Sequence, residues 1–285
     1  DDEDDYQEAM IKVVMTSGED IELPVGIKTR GNFRRDSSNC DFPPIRLNFK
    51  KSHIRDHFFE GNEKIKIVTH CKSGVPEFEQ FIAREFITYR LYNLISPLSF
   101  KVRFARIHYE DTAGQLETIS RSAFLIEDID NLAARNDMEE YDGSLSIDKL
   151  QQENAVILSL FQYMIGNTDW IIGLAKNVKL IKDHSDYFAV PYDFDYTALV
   201  GTDYSLGGNS TFLTPAERKY KGKCYPLEEV RKAADHFLEQ KKEMLRTVRK
   251  SDHLDYLSRQ HMVGYLTDFF YVIGSDKRIR EEILT

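Results

Sequence analysis

The chain has 285 residues, which suits either one large domain or two lobes. With 41% hydrophobic and 12% aromatic residues it can bury a substantial core, while 30% charged residues and a net charge of −9 argue against nucleic acid as a partner. No apolar run approaches the roughly 18–20 residues that span a bilayer, so no transmembrane segment is expected, and the acidic segment 1–5 is not a signal peptide, although a cleaved leader would leave the same start.

The first part reads as β-rich. Residues 9–15 and 21–29 are predicted strands around the turn Ser17-Gly18-Glu19-Asp20, and 44–49 alternates Ile45, Leu47 and Phe49 with Arg46 and Asn48. Residues 30–43 form a dense polar loop that carries Arg30, Arg34 and Arg35, the main local basic cluster of an acidic protein. Residues 64–68 alternate again, with Lys64 and Lys66 on one face and Ile65 and Ile67 on the other. A helix is predicted over 76–95, where Phe78, Ile82, Phe86, Tyr89 and Leu94 recur at helical spacing before the stop Ser96-Pro97. Residues 102–109 and 120–126 are two more strands, and Glu127-Asp128-Ile129-Asp130 reads as a polar link.

Beyond that link the character changes. Residues 147–165 are strongly helical, and from about 226 onward the chain is mostly helix. A β-rich part at 1–126 with one long helix, followed by a mainly helical part at 127–285, predicts a two-lobed α+β arrangement. Cys40, Cys71 and Cys224 are too few and too scattered for a zinc module or a small disulfide scaffold. A Cys40–Cys71 bridge is compatible with an exported protein and would leave Cys224 free.

Between the two long helical regions lies the chemistry. Gly166-Asn167-Thr168-Asp169-Trp170 ends an apolar helix, Asn177 opens a β-rich run, and a second β-rich run closes on Tyr192-Asp193-Phe194-Asp195. Phosphoryl transfer needs one carboxylate to orient the nucleophile, plus an amide oxygen and a second carboxylate to hold Mg²⁺ on the phosphates. The stretch supplies all three in that order. Asn, Asp and Gly are also ordinary turn formers, so only the order and the flanking elements lift the pattern above a set of turns. Phosphates would also need a cation from the first part: Arg46 or Lys66, with Glu85 on the following helix as the pairing carboxylate. His70, His108 and His184 lack the spacing of a metal-hydrolase site.

Asn167-Thr168-Asp169, Asn177 and Tyr192-Asp193-Phe194-Asp195, downstream of Arg30-Gly31-Asn32 and Phe124-Leu125-Ile126-Glu127, resemble the CotH family of atypical, protein-kinase-like proteins. The likeness covers about residues 28–200, is closest to exported bacterial members, and extends more weakly to HipA-type kinases. It implies a bilobal protein-kinase-like α+β fold with a β-rich N-terminal lobe and a helical C-terminal lobe. It also implies ATP with Mg²⁺ or Mn²⁺ as cofactors, a protein or small-molecule acceptor, and an extracytoplasmic setting. By the same resemblance Asp169 is the catalytic aspartate, Asn177, Asp193 and Asp195 are metal ligands, and Glu127 and Ile129 offer backbone groups to an adenine.

Three departures stand out. No Gly-x-Gly-x-x-Gly loop is present, so Arg30 and Arg34 with their backbone would cover the phosphates. The eight-residue step from Asp169 to Asn177 is longer than in protein kinases, so that loop must bulge. No His or Lys immediately flanks Asp169. These departures leave three readings open: a Mg-ATP-dependent phosphotransferase as the leading one, a pseudokinase or exported binding scaffold, and nucleotidyl transfer on the same residues.

Overall fold

The computed structural model describes residues 6–14, 20–31, 33–75, 77–202 and 218–284. They belong to two compact units, one made of Asp1–Ile82 and Val102–Asn131, the other of Ala83–Lys101 and Leu132–Thr285. The protein is α+β, with its strands concentrated in the first unit and its helices in the second.

The first unit is built on one antiparallel sheet. Its strands are β1 (Gln7–Val14), β2 (Asp20–Thr29), β3 (Ile45–Asn48), β4 (Lys64–Val68), β5 (Val102–Tyr109) and β6 (Ile119–Ile126), in the spatial order β1-β2-β3-β4-β6-β5. Strand alternation sends Leu23, Val25, Leu47, Ile65 and Ile67 to one side, where they pack with Phe49, Ile54, Phe59 and Ala123. The opposite alternation leaves Lys64 exposed and Lys66 half-buried, as the sequence pattern requires. The turn expected at 17–20 lies mostly outside the described residues, as do Asn32 and Pro76.

Cys40 and Cys71 form a disulfide within this unit. It fastens the polar loop to the end of β4, and the neighbouring backbone reinforces it: Asp41 N and Phe42 N both donate to Cys71 O, at 2.9 and 3.2 Å. Cys224 is a free, exposed thiol.

Helix α1 (Glu77–Asn93) begins in the first unit and ends in the second. The residues expected to be a polar link are more structured than that. Asp128 and Ile129 are buried, and Ile129 opens a short helix, α2 (Ile129–Ala134), because its apolar side chain has a core to enter.

In the second unit the helix α3 (Gln152–Ile165) is almost entirely buried and packs against β9 (Tyr187–Pro191), α4 (Leu227–Arg249) and α5 (Tyr256–Ile273). The chain ends in α6 (Asp276–Glu282). A small antiparallel sheet runs in the order β7 (Glu139–Glu140), β8 (Val178–Lys182), β9. The continuous helix expected over 147–165 is interrupted. A 3-10 turn at Ile147–Lys149 gives way to extended Leu150 and Gln151, whose N–H donates to Tyr187 O at 2.8 Å. Pairing with β9 wins over helix continuation there, and Gln151 Oε1 then caps α3 by accepting from Asn154 N.

Asn154 locks the same strand from inside. Its Nδ2 donates to Ala189 O at 3.2 Å and its Oδ1 accepts from Ala189 N at 2.8 Å. Both charged loops of the candidate site therefore depart from elements pinned to α3. No helix among the described residues is long and apolar enough to cross a membrane.

Candidate functional site

Gly166 ends α3 in the left-handed conformation, with φ 65° and ψ 40°. A side chain there would meet Tyr265 Oη at 2.2 Å and Ala198 Cβ at 2.8 Å, so both backbone conformation and space demand glycine. The chain then turns onto Asn167, which is 1% exposed and acts as a bracket. Its Nδ2 donates to Gln162 Oε1 and its Oδ1 accepts from Asp169 N, at 2.9 and 2.8 Å. Asp169 is thereby presented half-buried at the surface, with Trp170 packed beside it at 5% exposure.

The long step from Asp169 to Asn177 is a closed loop. Ile171 and Lys176 exchange backbone hydrogen bonds at 3.1 and 3.0 Å around a 3-10 turn, Ile172–Leu174, so the bulge that the spacing required is a miniature hairpin. Ala175 leaves that turn at φ 47° and Asn177 follows at φ 54°. Left-handed backbone costs an alanine roughly 1–2 kcal/mol, and asparagine less, so the loop carries a small strain that its two cross-links hold.

Closing the loop brings two side chains onto Asp169. Lys176 Nζ pairs with Oδ1. Asn177 Nδ2 donates to the backbone oxygen of Asp169 at 2.6 Å and to Oδ2 at 3.1 Å. With its amide nitrogen committed twice, Asn177 keeps its Oδ1 as an acceptor.

No His or Lys stands next to Asp169 in the sequence, yet Lys176 supplies a cation to it in space. It is seven residues away in sequence and adjacent in space, because the Ile171–Lys176 bridge folds the loop back. Its position directly before Asn177 was the available signal.

Asp193 arrives by strand register. Val178 pairs with Pro191 across β8 and β9, and Tyr192 N donates to Asn177 O at 3.2 Å, so Asp193 leaves the hairpin one residue beyond the asparagine. Asp193 is exposed, has φ 62°, and its N–H donates to Tyr89 Oη at 2.9 Å. Phe194 is fully buried, with ring centroids 4.5 Å from Tyr89 and 5.6 Å from Phe161. That anchor fixes the two carboxylates on either side of it. Asp195 is half-buried, and its backbone oxygen accepts from Thr202 Oγ1 at 2.8 Å.

The acidic character of the site shows in Tyr196. Burial raises its phenol above the ordinary range, and Asp195, Asp169 and Asp193 raise it further, against an opposing effect of Lys176. The donor set of Asn177, Asp193 and Asp195 is all oxygen, the chemistry that a hard divalent cation prefers. Among the described residues, no three His, Cys, Asp or Glu side chains converge as a metal cluster of their own. A metal here would need phosphate or water oxygens as well.

The remaining sequence candidates fall elsewhere. Arg46 and Lys66 are direct cross-strand partners in β3 and β4, and Arg46 is also the partner of Lys28 in β2. Lys28, Arg46 and Lys66 therefore form one row across three strands. Sequence reasoning treated Arg46 and Lys66 as alternatives and missed Lys28, because only the register aligns them. Arg30 follows at the end of β2, with its N–H donating to Pro44 O at 2.9 Å, and Arg34 Nη2 donates to Thr69 O at 3.3 Å. Glu127 directly follows β6 and is half-buried, and the Ile129 side chain is 4% exposed. Glu85 is a buried carboxylate of α1 within the second unit.

The sequence matches no family model and no curated protein sequence. Among solved structures, the crystal structure of a Helicobacter pylori proinflammatory kinase CtkA is similar over 89% of this chain and 94% of that one, with 10% identity and a TM-score of 0.46.

Proposed function

We propose that the second unit carries the phosphotransferase centre of an atypical, CotH-like kinase that uses ATP with Mg²⁺ or Mn²⁺ and modifies a hydroxyl of a protein or small molecule. One observation carries the reading: the Asp169 carboxylate is held between Lys176 and Asn177 in a closed loop whose hairpin register leads to Asp193. Asp169 takes the proton of the acceptor hydroxyl as its oxygen bonds to the γ-phosphorus, and the bond to the β–γ bridging oxygen breaks to release ADP. Asn177 Oδ1, Asp193 and Asp195 would hold the divalent cation, which supplies charge neutralisation at the phosphate oxygens. Lys176 is a mobile-ended cation already at the reaction point, suited to exchange Asp169 for the transferring phosphate.

In the first unit, Arg46 and Lys66, joined by Lys28, are our candidates for phosphate contacts, with Arg30 and Arg34 on the covering loop. Glu127 and Ile129 remain the candidates for adenine contacts through their backbone, and Glu85 for the pairing carboxylate. The Cys40–Cys71 bridge supports an extracytoplasmic setting, since such bonds persist in oxidising compartments.

The test is transfer of γ-labelled phosphate by wild type and Asp169→Asn, with intact-mass analysis of the product. Loss of a general base lowers the rate by about 10²–10⁴-fold. Equal rates in the two proteins would sink the assignment, and a nucleotidyl adduct would replace it with transfer of the α-phosphate. ATP binding without turnover would identify a non-catalytic scaffold.

A further inference from the structure

A short segment beside the loop that carries Asp169 alternates in burial. Arg218, Tyr220 and Gly222 are half-buried, while Lys219, Lys221 and Lys223 are exposed. The inward residues fasten the segment to the second unit. Arg218 stacks on Tyr265 with its guanidinium 3.6 Å from the ring centroid, and its Nε donates to Met164 O at 3.4 Å. Tyr220 lies beside Tyr163, with ring centroids 6.3 Å apart. Gly222 approaches α3 so closely that a side chain there would fall 2.5 Å from Ser159 Cβ.

The three lysines alternate with these anchored residues and are exposed. Lys221 Nζ donates to Thr168 O at 2.7 Å, one residue before Asp169, which sets the strip against the catalytic loop. Lys223 pairs with Asp148, whereas Lys219 and Lys221 have no carboxylate partner among the described residues. Exposed Ile171 and Leu174 stand on the same loop, at 42% and 73% exposure.

We infer that this strip docks an acidic segment of a protein acceptor, an inference that rests on the phosphotransferase reading for its purpose but not for its binding test. A chain with net charge −9 repels acidic partners in general, so a local line of cations is what would admit one. Lys219 and Lys221 lie on either side of half-buried Tyr220, and the chain bends at Gly222 before Lys223. Carboxylates on alternate residues of an extended peptide, ~6–7 Å apart, can meet more than one of these lysines, which a single phosphate group cannot. Ile171 and Leu174 offer the peptide's other side chains an apolar surface.

Two measurements on the full chain test it. Fluorescence anisotropy without nucleotide compares a serine peptide bearing Glu at alternate positions with the same peptide bearing Lys. The acidic peptide is expected to bind more tightly, and Lys219→Glu to weaken it about fivefold, the size of one exposed charge pair, with a loss of binding as salt rises. Transfer kinetics should show the same preference in kcat/KM, carried by KM, with a neutral peptide unaffected by Lys219→Glu. Equal binding of both peptides, or an acidic preference that survives Lys219→Glu, overturns the inference. Acidic-peptide binding without any transfer would leave the docking strip standing and remove the kinase reading. Transfer without acidic preference would do the reverse.

Discussion

The two charged regions of the molecule are built on opposite electrostatic plans. In the second unit Asp169 sits between a cation and an amide, so the centre is satisfied by its own residues. In the first unit Lys28, Arg46 and Lys66 stand in register across three strands, a row of cations rather than a carboxylate held by a cation. A self-satisfied centre can keep its geometry without ligand. A row of cations in register offers several positive groups to one anion, which is the role we propose for it.

That contrast can be broken experimentally, starting with the bridge that only the first unit has. Removing Cys40–Cys71 with Cys40→Ser and Cys71→Ser should cost about 3–4 kcal/mol, from the loop it closes over a sequence separation of 31. Hydrogen exchange in β2, β3 and β4 should rise, while the fluorescence of Trp170, the one tryptophan, should report an unchanged second unit. Equal loosening of both units would show that the bridge supports more than its own sheet.

A smaller effect should follow pH. His70 is 1% exposed, with its ring nitrogens 3.1 Å from Thr69 Oγ1 and from Ser73 Oγ. Burial, then Arg121, pushes its pKa down to about 4, against the opposing pull of Asp41 and Glu79. The unfolded chain thus binds a proton that the folded chain refuses. The stability contributed by neutral His70 is complete above the ordinary histidine pKa and is lost as pH falls from about 6.5 towards 4, by roughly 2–3 kcal/mol. Denaturant titrations of wild type and His70→Gln should differ in slope across that window. A histidine that titrates normally would give parallel curves.

The smallest expected change bears on the cation row itself. Lys66→Ala should weaken ATP binding about tenfold, or ~1.4 kcal/mol, and Lys28→Ala and Arg46→Ala less, as followed by calorimetry. ATP affinity indifferent to all three would leave the row as a solvated sheet face.

Much of this was written in local pattern. The strand at Lys64–Val68 and the one at Val102–Tyr109 follow alternation alone, and short connections link Asp169, Asn177 and Asp193 in chain order. What escaped the sequence depends on pairing between distant segments. Lys28 joins Arg46 and Lys66 only through register, and the helix expected from residue 147 is broken because Gln151 finds Tyr187. Lys176 was hidden for a related reason: a loop that closes on itself makes distance in sequence a poor guide to distance in space.

We propose that the Asp169 loop and the β8–β9 hairpin form one metal and phosphate centre, and Mn²⁺ binding tests that most directly. In paramagnetic titrations with ATP present, wild type should bind Mn²⁺ in a nucleotide-dependent way, and Asp193→Asn should lose that dependence while keeping its fold and its Trp170 emission. Mn²⁺ and ATP bound by Asp193→Asn as tightly as by wild type would contradict the assignment of the hairpin to the centre.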